Sequence, residues 1–107
     1  MEEGFVRVCA LGDMPEEGLL AVEVDDTPLA IVRSGGEVHA VLDRCSHADV
    51  PLTEGEVYGG VVECWLHGSC FELRTGKPTS PPATEPITVF RAAVENGDVY
   101  VRVPPEA

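Results

Sequence analysis

With 107 residues the chain is one domain, able to bury a modest core but small enough that a bound cofactor would add substantially to its stability. Nineteen acidic residues against seven basic ones give a formal charge of −12, which argues against nucleic acid and anionic membranes as partners; it suits a protein steered to a positively charged docking face, and it also serves solubility. No stretch approaches the roughly eighteen apolar residues of a membrane span, and the opening MEEGFVRVCA lacks the basic and apolar regions of a secretory signal, so a soluble, cytoplasmic protein is expected.

Along the chain the texture is all-β. Short valine-rich stretches predict strands over 5–10, 19–24, 29–33, 38–42, 61–64, 70–74, 87–94 and 99–103. The last alternates as a half-buried strand does, with Val99, Val101 and Val103 on one face and Tyr100 and Arg102 on the other. Turn signals separate them at Asp25-Asp26-Thr27-Pro28, Gly35-Gly36, Gly59-Gly60, Thr75-Gly76 and Asn96-Gly97-Asp98. No amphipathic helix is expected; Met14–Gly18 and Pro51–Gly55 are at most turns. Periodicity therefore points to a β-sandwich or partly open barrel of antiparallel strands.

Two short motifs carry the chemistry. Cys45-Ser46-His47 is followed, after sixteen intervening residues, by Cys64-Trp65-Leu66-His67. A Cys-x-His and a Cys-x-x-His each present a sulfur and a nitrogen from one tight loop. Together they offer two thiolates and two imidazoles, the ligand set of a Rieske [2Fe-2S] centre, in which two His replace two Cys on one iron. A structural zinc site uses the same residue types, but zinc fingers pair Cys with Cys and His with His, whereas here they alternate. A Cys45–Cys64 disulfide would leave both histidines unexplained.

The surrounding residues extend the pattern. CSHADVPLTEG and ECWLHGSCFELRTGKPTSPP resemble the two cluster loops and the following proline loop of Rieske-type ferredoxins, in particular the small ferredoxins that serve bacterial non-haem iron oxygenases. The similarity runs from about Asp43 through Pro86. It implies one [2Fe-2S] cluster held by Cys45, His47, Cys64 and His67, with a base formed by residues 1–41 and 87–107 and an inserted cluster-binding lobe over about 42–86. It also implies a monomeric one-electron carrier without catalytic residues, docking transiently between a flavin-dependent, NAD(P)H-linked reductase and a terminal oxygenase. A Rieske-like small subunit or accessory ferredoxin of another redox or iron–sulfur assembly system is the alternative, and a zinc-binding module a further one.

The resemblance assigns roles around the cluster as well. Ser69 matches the position of a hydroxyl that donates to a bridging sulfide, and such bonds raise the potential. Phe71 stands where the high-potential class has a second donor, a tyrosine. Val50 and Leu66 occupy positions that carry a loop-tying disulfide in cytochrome-complex Rieske proteins. The loops are therefore expected to be held by backbone bonds and by packing of Val50, Leu52, Trp65 and Leu66, with Pro81 and Pro82 as a rigid lid. Both losses predict a potential low in the Rieske range of roughly −150 to +300 mV. Trp65 is expected either to shape a docking surface or to shield the cluster. Cys9 and Cys70 are expected as core filler, and His39 as a surface or strand histidine.

Overall fold

In the computed structural model, which describes residues 4–45, 50–66, 68–80 and 84–103, the architecture follows from one run, Leu29-Ala30-Ile31-Val32. All four side chains are fully buried, yet neighbours on a strand point to opposite faces, so this strand must have a core on each side. Leu29 and Ile31 enter one apolar cluster with Cys9, Met14, Phe90, Val99 and Val101. Ala30 and Val32 enter the other, with Cys45, Leu52, Val62, Cys64, Phe71 and Leu73.

The strands are β1 (Phe5–Ala10), β2 (Gly18–Val24), β3 (Thr27–Ser34), β4 (Glu37–Leu42), β5 (Glu56–Tyr58), β6 (Val61–Glu63), β7 (Cys70–Glu72), β8 (Val89–Glu95) and β9 (Asp98–Arg102). Six form a sheet in the order β1-β9-β8-β4-β3-β2, and three form a smaller sheet, β5-β6-β7. Every named pairing is antiparallel. The large sheet curls around the first cluster as a half-barrel, and the second cluster lies between its back and the small sheet. In sequence the small sheet falls between β4 and β8, as an insertion. The only helical elements among the described residues are two three-residue 3-10 turns, Leu11–Asp13 and Leu52–Glu54. No helix there is long and apolar enough to cross a membrane.

The sequence expectation missed β5. Glu56–Tyr58 is too short to show a pattern, but the Gly59-Gly60 turn after it needs a strand on both sides, and Tyr58 pairs with Val61 across it. Both expected turns are present: Pro51–Gly55 contains a 3-10 turn and Met14–Gly18 turns at Glu16-Glu17, while a further 3-10 turn, Leu11–Asp13, lies just before the latter.

Four connections are two-residue loops with positive φ at both positions: Asp25-Asp26 (49° and 65°), Gly35-Gly36 (58° and 80°), Gly59-Gly60 (56° and 81°) and Asn96-Gly97 (53° and 79°). Type I′ turns have this signature, and their twist matches that of paired strands. Asp25-Asp26 is the one pair without glycine. Relieving the left-handed conformation by Asp26→Gly is expected to raise stability by a few tenths to about 1 kcal/mol, after the entropic cost of glycine, as a higher urea midpoint.

One hydrogen-bonded chain joins the two sheets. Gly60 N–H donates to Ser34 Oγ (3.1 Å), and the Ser34 hydroxyl donates to Glu17 Oε2 (2.8 Å). Glu17 Oε1 also accepts from Gly35 N–H (2.9 Å). Ser34 is buried, so removing either partner leaves a polar atom unsatisfied. The Gly35 amide and then the Ser34 hydroxyl hold the Glu17 carboxyl below its ordinary value of 4.5. A depressed folded-state pKa contributes stability above 4.5 that is lost as pH falls through the folded value. Wild type and Glu17→Gln are therefore expected to differ most near neutrality and to converge below about pH 4.5 in denaturation curves taken across pH.

Candidate metal centre

The two motif cysteines sit at the ends of strands and enter the same apolar cluster between the sheets. Cys45 is 2% exposed and Cys64 fully buried. None of the four cysteines forms a disulfide. Buried thiols are soft ligands in a dry pocket, and each is followed within three positions by a histidine, so the donor chemistry fits a sulfur- and nitrogen-ligated iron centre. His47 and His67 themselves lie outside the described residues, as do Pro81 and Pro82, the expected lid.

The first loop leaves β4 under close control. Leu42 N–H donates to Thr88 O, Asp43 N–H to Pro28 O and Cys45 N–H to Val50 O (2.9, 3.0 and 3.0 Å). Asp43 also accepts from the backbone N–H and the hydroxyl of Thr53, both at 2.8 Å, which ties the stem of the loop to the 3-10 turn beyond it. Leu52 in that turn is fully buried. Gly55 follows, where a Cβ would overlap the carbonyl oxygen of Glu63, so only glycine lets the first loop approach the strand that delivers Cys64.

The second loop is a hairpin tip. Cys64 N–H donates to Ser69 O (2.7 Å), and Gly68 N–H returns to Cys64 O (3.0 Å). Gly68 holds a φ of 75°, as a side chain would not readily do. Ser69 is fully buried beside Cys64, in keeping with a hydroxyl used inside the site rather than in a solvent turn. Phe71 is fully buried on β7 and pairs with Val62. Ser80 fastens the third segment: its Oγ accepts from Cys70 N–H (2.9 Å) and donates to Gly68 O (3.4 Å).

Two expectations need correction. Val50 and Leu52 pack against the core as expected, but Trp65 and Leu66 are 49% and 38% exposed. They sit at the tip of a two-stranded hairpin, where no layer among the described residues covers them, so Trp65 offers surface rather than loop packing. Cys70 is not core filler. It alternates with buried Phe71 on β7 and so faces outward, where its sulfur lies 3.5 Å from Tyr58 Oη and 3.7 Å from Gly68 O. Cys9, by contrast, is buried in the half-barrel core, and burial first, then Asp13, pushes its thiol pKa up.

The sequence pattern assigns no role to Asp43, Thr53 or Ser80. An acid two residues before Cys45, and a serine just before the Pro-Pro, were the available signals. His39 lies on β4, half-buried; burial lowers its pKa, while Glu37 at 3.4 Å opposes the shift.

Glu54, Glu56 and Glu63 surround an open cleft with Gly55, Cys64 and Trp65, so the neighbourhood of the second cysteine is acidic. On the outer face of the small sheet, Tyr58 Oη donates to Glu63 Oε1 (3.1 Å), and hydrogen bonding with Cys70 first, then Glu63, pushes the phenol pKa up.

Comparison with known proteins places these features together. The family model for the Rieske [2Fe-2S] domain matches residues 4–91. The chain is 40% identical to ferredoxin CarAc of Metapseudomonas resinovorans, over 94% of this chain and 95% of that one. It is 39% identical to the 3-phenylpropionate/cinnamic acid dioxygenase ferredoxin subunit of Escherichia coli K12, over 92% and 93%. A chain in the solved complex of reduced oxygenase and oxidized ferredoxin in carbazole 1,9a-dioxygenase superposes with a TM-score of 0.91 at 37% identity, over 99% of both chains.

Proposed function

The chain belongs to the Rieske [2Fe-2S] domain family, and from that premise we propose that it is the ferredoxin component of a ring-hydroxylating dioxygenase system, an electron carrier with no catalytic residues of its own. The carrying observation is the pair of buried cysteines, Cys45 and Cys64, in one apolar cluster and not joined by a disulfide, at the loops that match the family. Full-length similarity to ferredoxin components supports the same reading.

When bound, the Rieske cluster takes up one electron and gives it back. Cys45 and Cys64 would hold one iron and His47 and His67 the other. Imidazole is a weaker donor than thiolate and carries no charge, so these two histidines make the centre easier to reduce than an all-cysteine one. The backbone bonds from Cys45 and Cys64 fix the loops, and the surrounding Val, Leu and Phe side chains keep water from the sulfurs. Residues 42–86 serve as the cluster-binding lobe and the remainder as its base.

Exposed Trp65 and Leu66 give the tip an apolar contact, and Glu54, Glu56 and Glu63 beside it supply charge that speeds encounter with a basic face. The partners are a flavin-dependent, NAD(P)H-linked reductase and a terminal oxygenase, met in turn by a monomer. Four cysteines without a disulfide suit the reducing cytoplasm.

The test is a reconstituted chain of electron transfer. Holo-protein mixed with a half-equivalent of NADH and a catalytic amount of a ferredoxin reductase of a related dioxygenase system is expected to bleach, and to recover its colour when an excess of oxidised terminal Rieske oxygenase is added under anaerobic conditions. Holo-protein that dithionite reduces but that exchanges no electrons with either partner would refute the assignment.

A further inference from the structure

A carboxylate of the small sheet is aimed at the second cluster loop. Glu63 is the residue before Cys64, and its Oε2 lies 3.3 Å from where a Cβ on Gly68 would stand, so the carboxylate rests on the loop between Cys64 and Ser69. Its other oxygen accepts the Tyr58 hydroxyl at 3.1 Å. Tyr58 Oη is 3.5 Å from Cys70 Sγ, whose thiol reaches Gly68 O at 3.7 Å. One residue from each strand of the small sheet thus joins a closed set of contacts around the same glycine. Glu63 also faces Glu56 directly across β5 and β6, an arrangement that like charges disfavour. An otherwise unfavourable charge is held in place by a tyrosine.

We propose that Glu63, positioned by Tyr58, is a fixed negative charge that lowers the reduction potential of the cluster in this chain. The inference rests on the cluster reading above. Reduction adds one negative charge to the centre, and a carboxylate held at the loop opposes that addition by Coulomb repulsion. Because Glu63 is partly buried, salt screens the effect less than it would at an open surface. The role is distinct from that of the missing hydrogen-bond donor at Phe71, and it acts in the same direction.

The experiment compares midpoint potentials of purified holo-protein by spectroelectrochemistry at constant pH and ionic strength. Glu72→Gln is the control, since it removes the same charge from the same sheet. Glu72 pairs with Val61 at the far end, beside the Gly59-Gly60 turn, whereas Glu63 pairs with Cys70 at the loop end. Glu63→Gln is expected to raise the potential more than Glu72→Gln does, with the Rieske EPR signal retained. Glu63→Lys should raise it by roughly twice as much, as the change of two charges requires. Should Glu63→Gln fail to take up the cluster, Tyr58→Phe keeps the carboxylate but frees it from the loop, and a smaller rise is expected. Equal shifts in Glu63→Gln and Glu72→Gln, or an unmoved potential in Tyr58→Phe where that variant must decide, would overturn the inference while leaving the cluster in place. A wild-type protein that binds no cluster would instead bring down the functional reading itself.

Discussion

Cys64→Ser is expected to yield a colourless chain with essentially no iron or acid-labile sulfide after anaerobic reconstitution, and with a large loss of stability. Two effects combine. The thiolate is a ligand that a serine hydroxyl cannot match in softness or acidity. In a chain this small, metal binding is folding free energy, on the order of 10 kcal/mol where it has been measured for structural sites in small domains. The hydroxyl would also be stranded at a fully buried position in the apolar cluster, at a cost of about 1–3 kcal/mol. Measuring the thermal midpoint of the wild-type apo-protein beside the variant separates the two. Wild-type apo and Cys64→Ser should differ by only the second, smaller amount. A variant that still binds two irons would remove Cys64 from the ligand set.

Phe71→Ala has the next largest expected effect. Phe71 is fully buried, pairs with Val62 across β6 and β7, and shares its cluster with both motif cysteines. Truncating a buried phenylalanine costs about 3–5 kcal/mol, from lost transfer energy and the cavity left behind. For a domain near 100 residues, each kcal/mol lowers the melting temperature by roughly 4–8 °C, so the apo-protein is expected to be largely unfolded at room temperature or a few degrees above it. The holo-protein should survive but lose its cluster faster to chelators. By contrast, Phe90→Ala empties the half-barrel core, which contains neither Cys45 nor Cys64. Comparable destabilisation with slower cluster loss than in Phe71→Ala is expected there. Equal rates of loss in the two variants would mean that the cores do not act separately on the site.

Fold class and most strand positions were legible because they depend on short-range pattern. Val99 and Val101 are buried and Tyr100 is not, as alternation requires. The hairpin turns were legible from the residues that tolerate positive φ. The candidate cysteines were legible for a similar reason: Cys45 and Cys64 each stand two or three positions before a histidine, so local spacing singles them out. Cross-strand relations were not. Tyr58 meets Glu63 and Cys70 only because the β5-β6-β7 register sets them side by side, and nothing local marks that register in a three-residue strand. The same holds for Asp43 with Thr53 and for Ser34 with Gly60, partners ten and twenty-six residues apart. Trp65 and Leu66 mislead for the opposite reason. Large apolar side chains usually pack inward, and these two project from a hairpin tip where a partner protein, rather than this chain, would cover them.

The most direct measurement is the low-temperature EPR spectrum of purified protein before and after dithionite, with iron, sulfide and zinc assayed on the same sample. About two irons and two sulfides per chain, no signal when oxidised, and the low-average-g signal of a histidine-ligated centre on reduction are the result expected here. A colourless protein holding stoichiometric zinc after anaerobic reconstitution with iron and sulfide would contradict the account and make the four ligands a structural site.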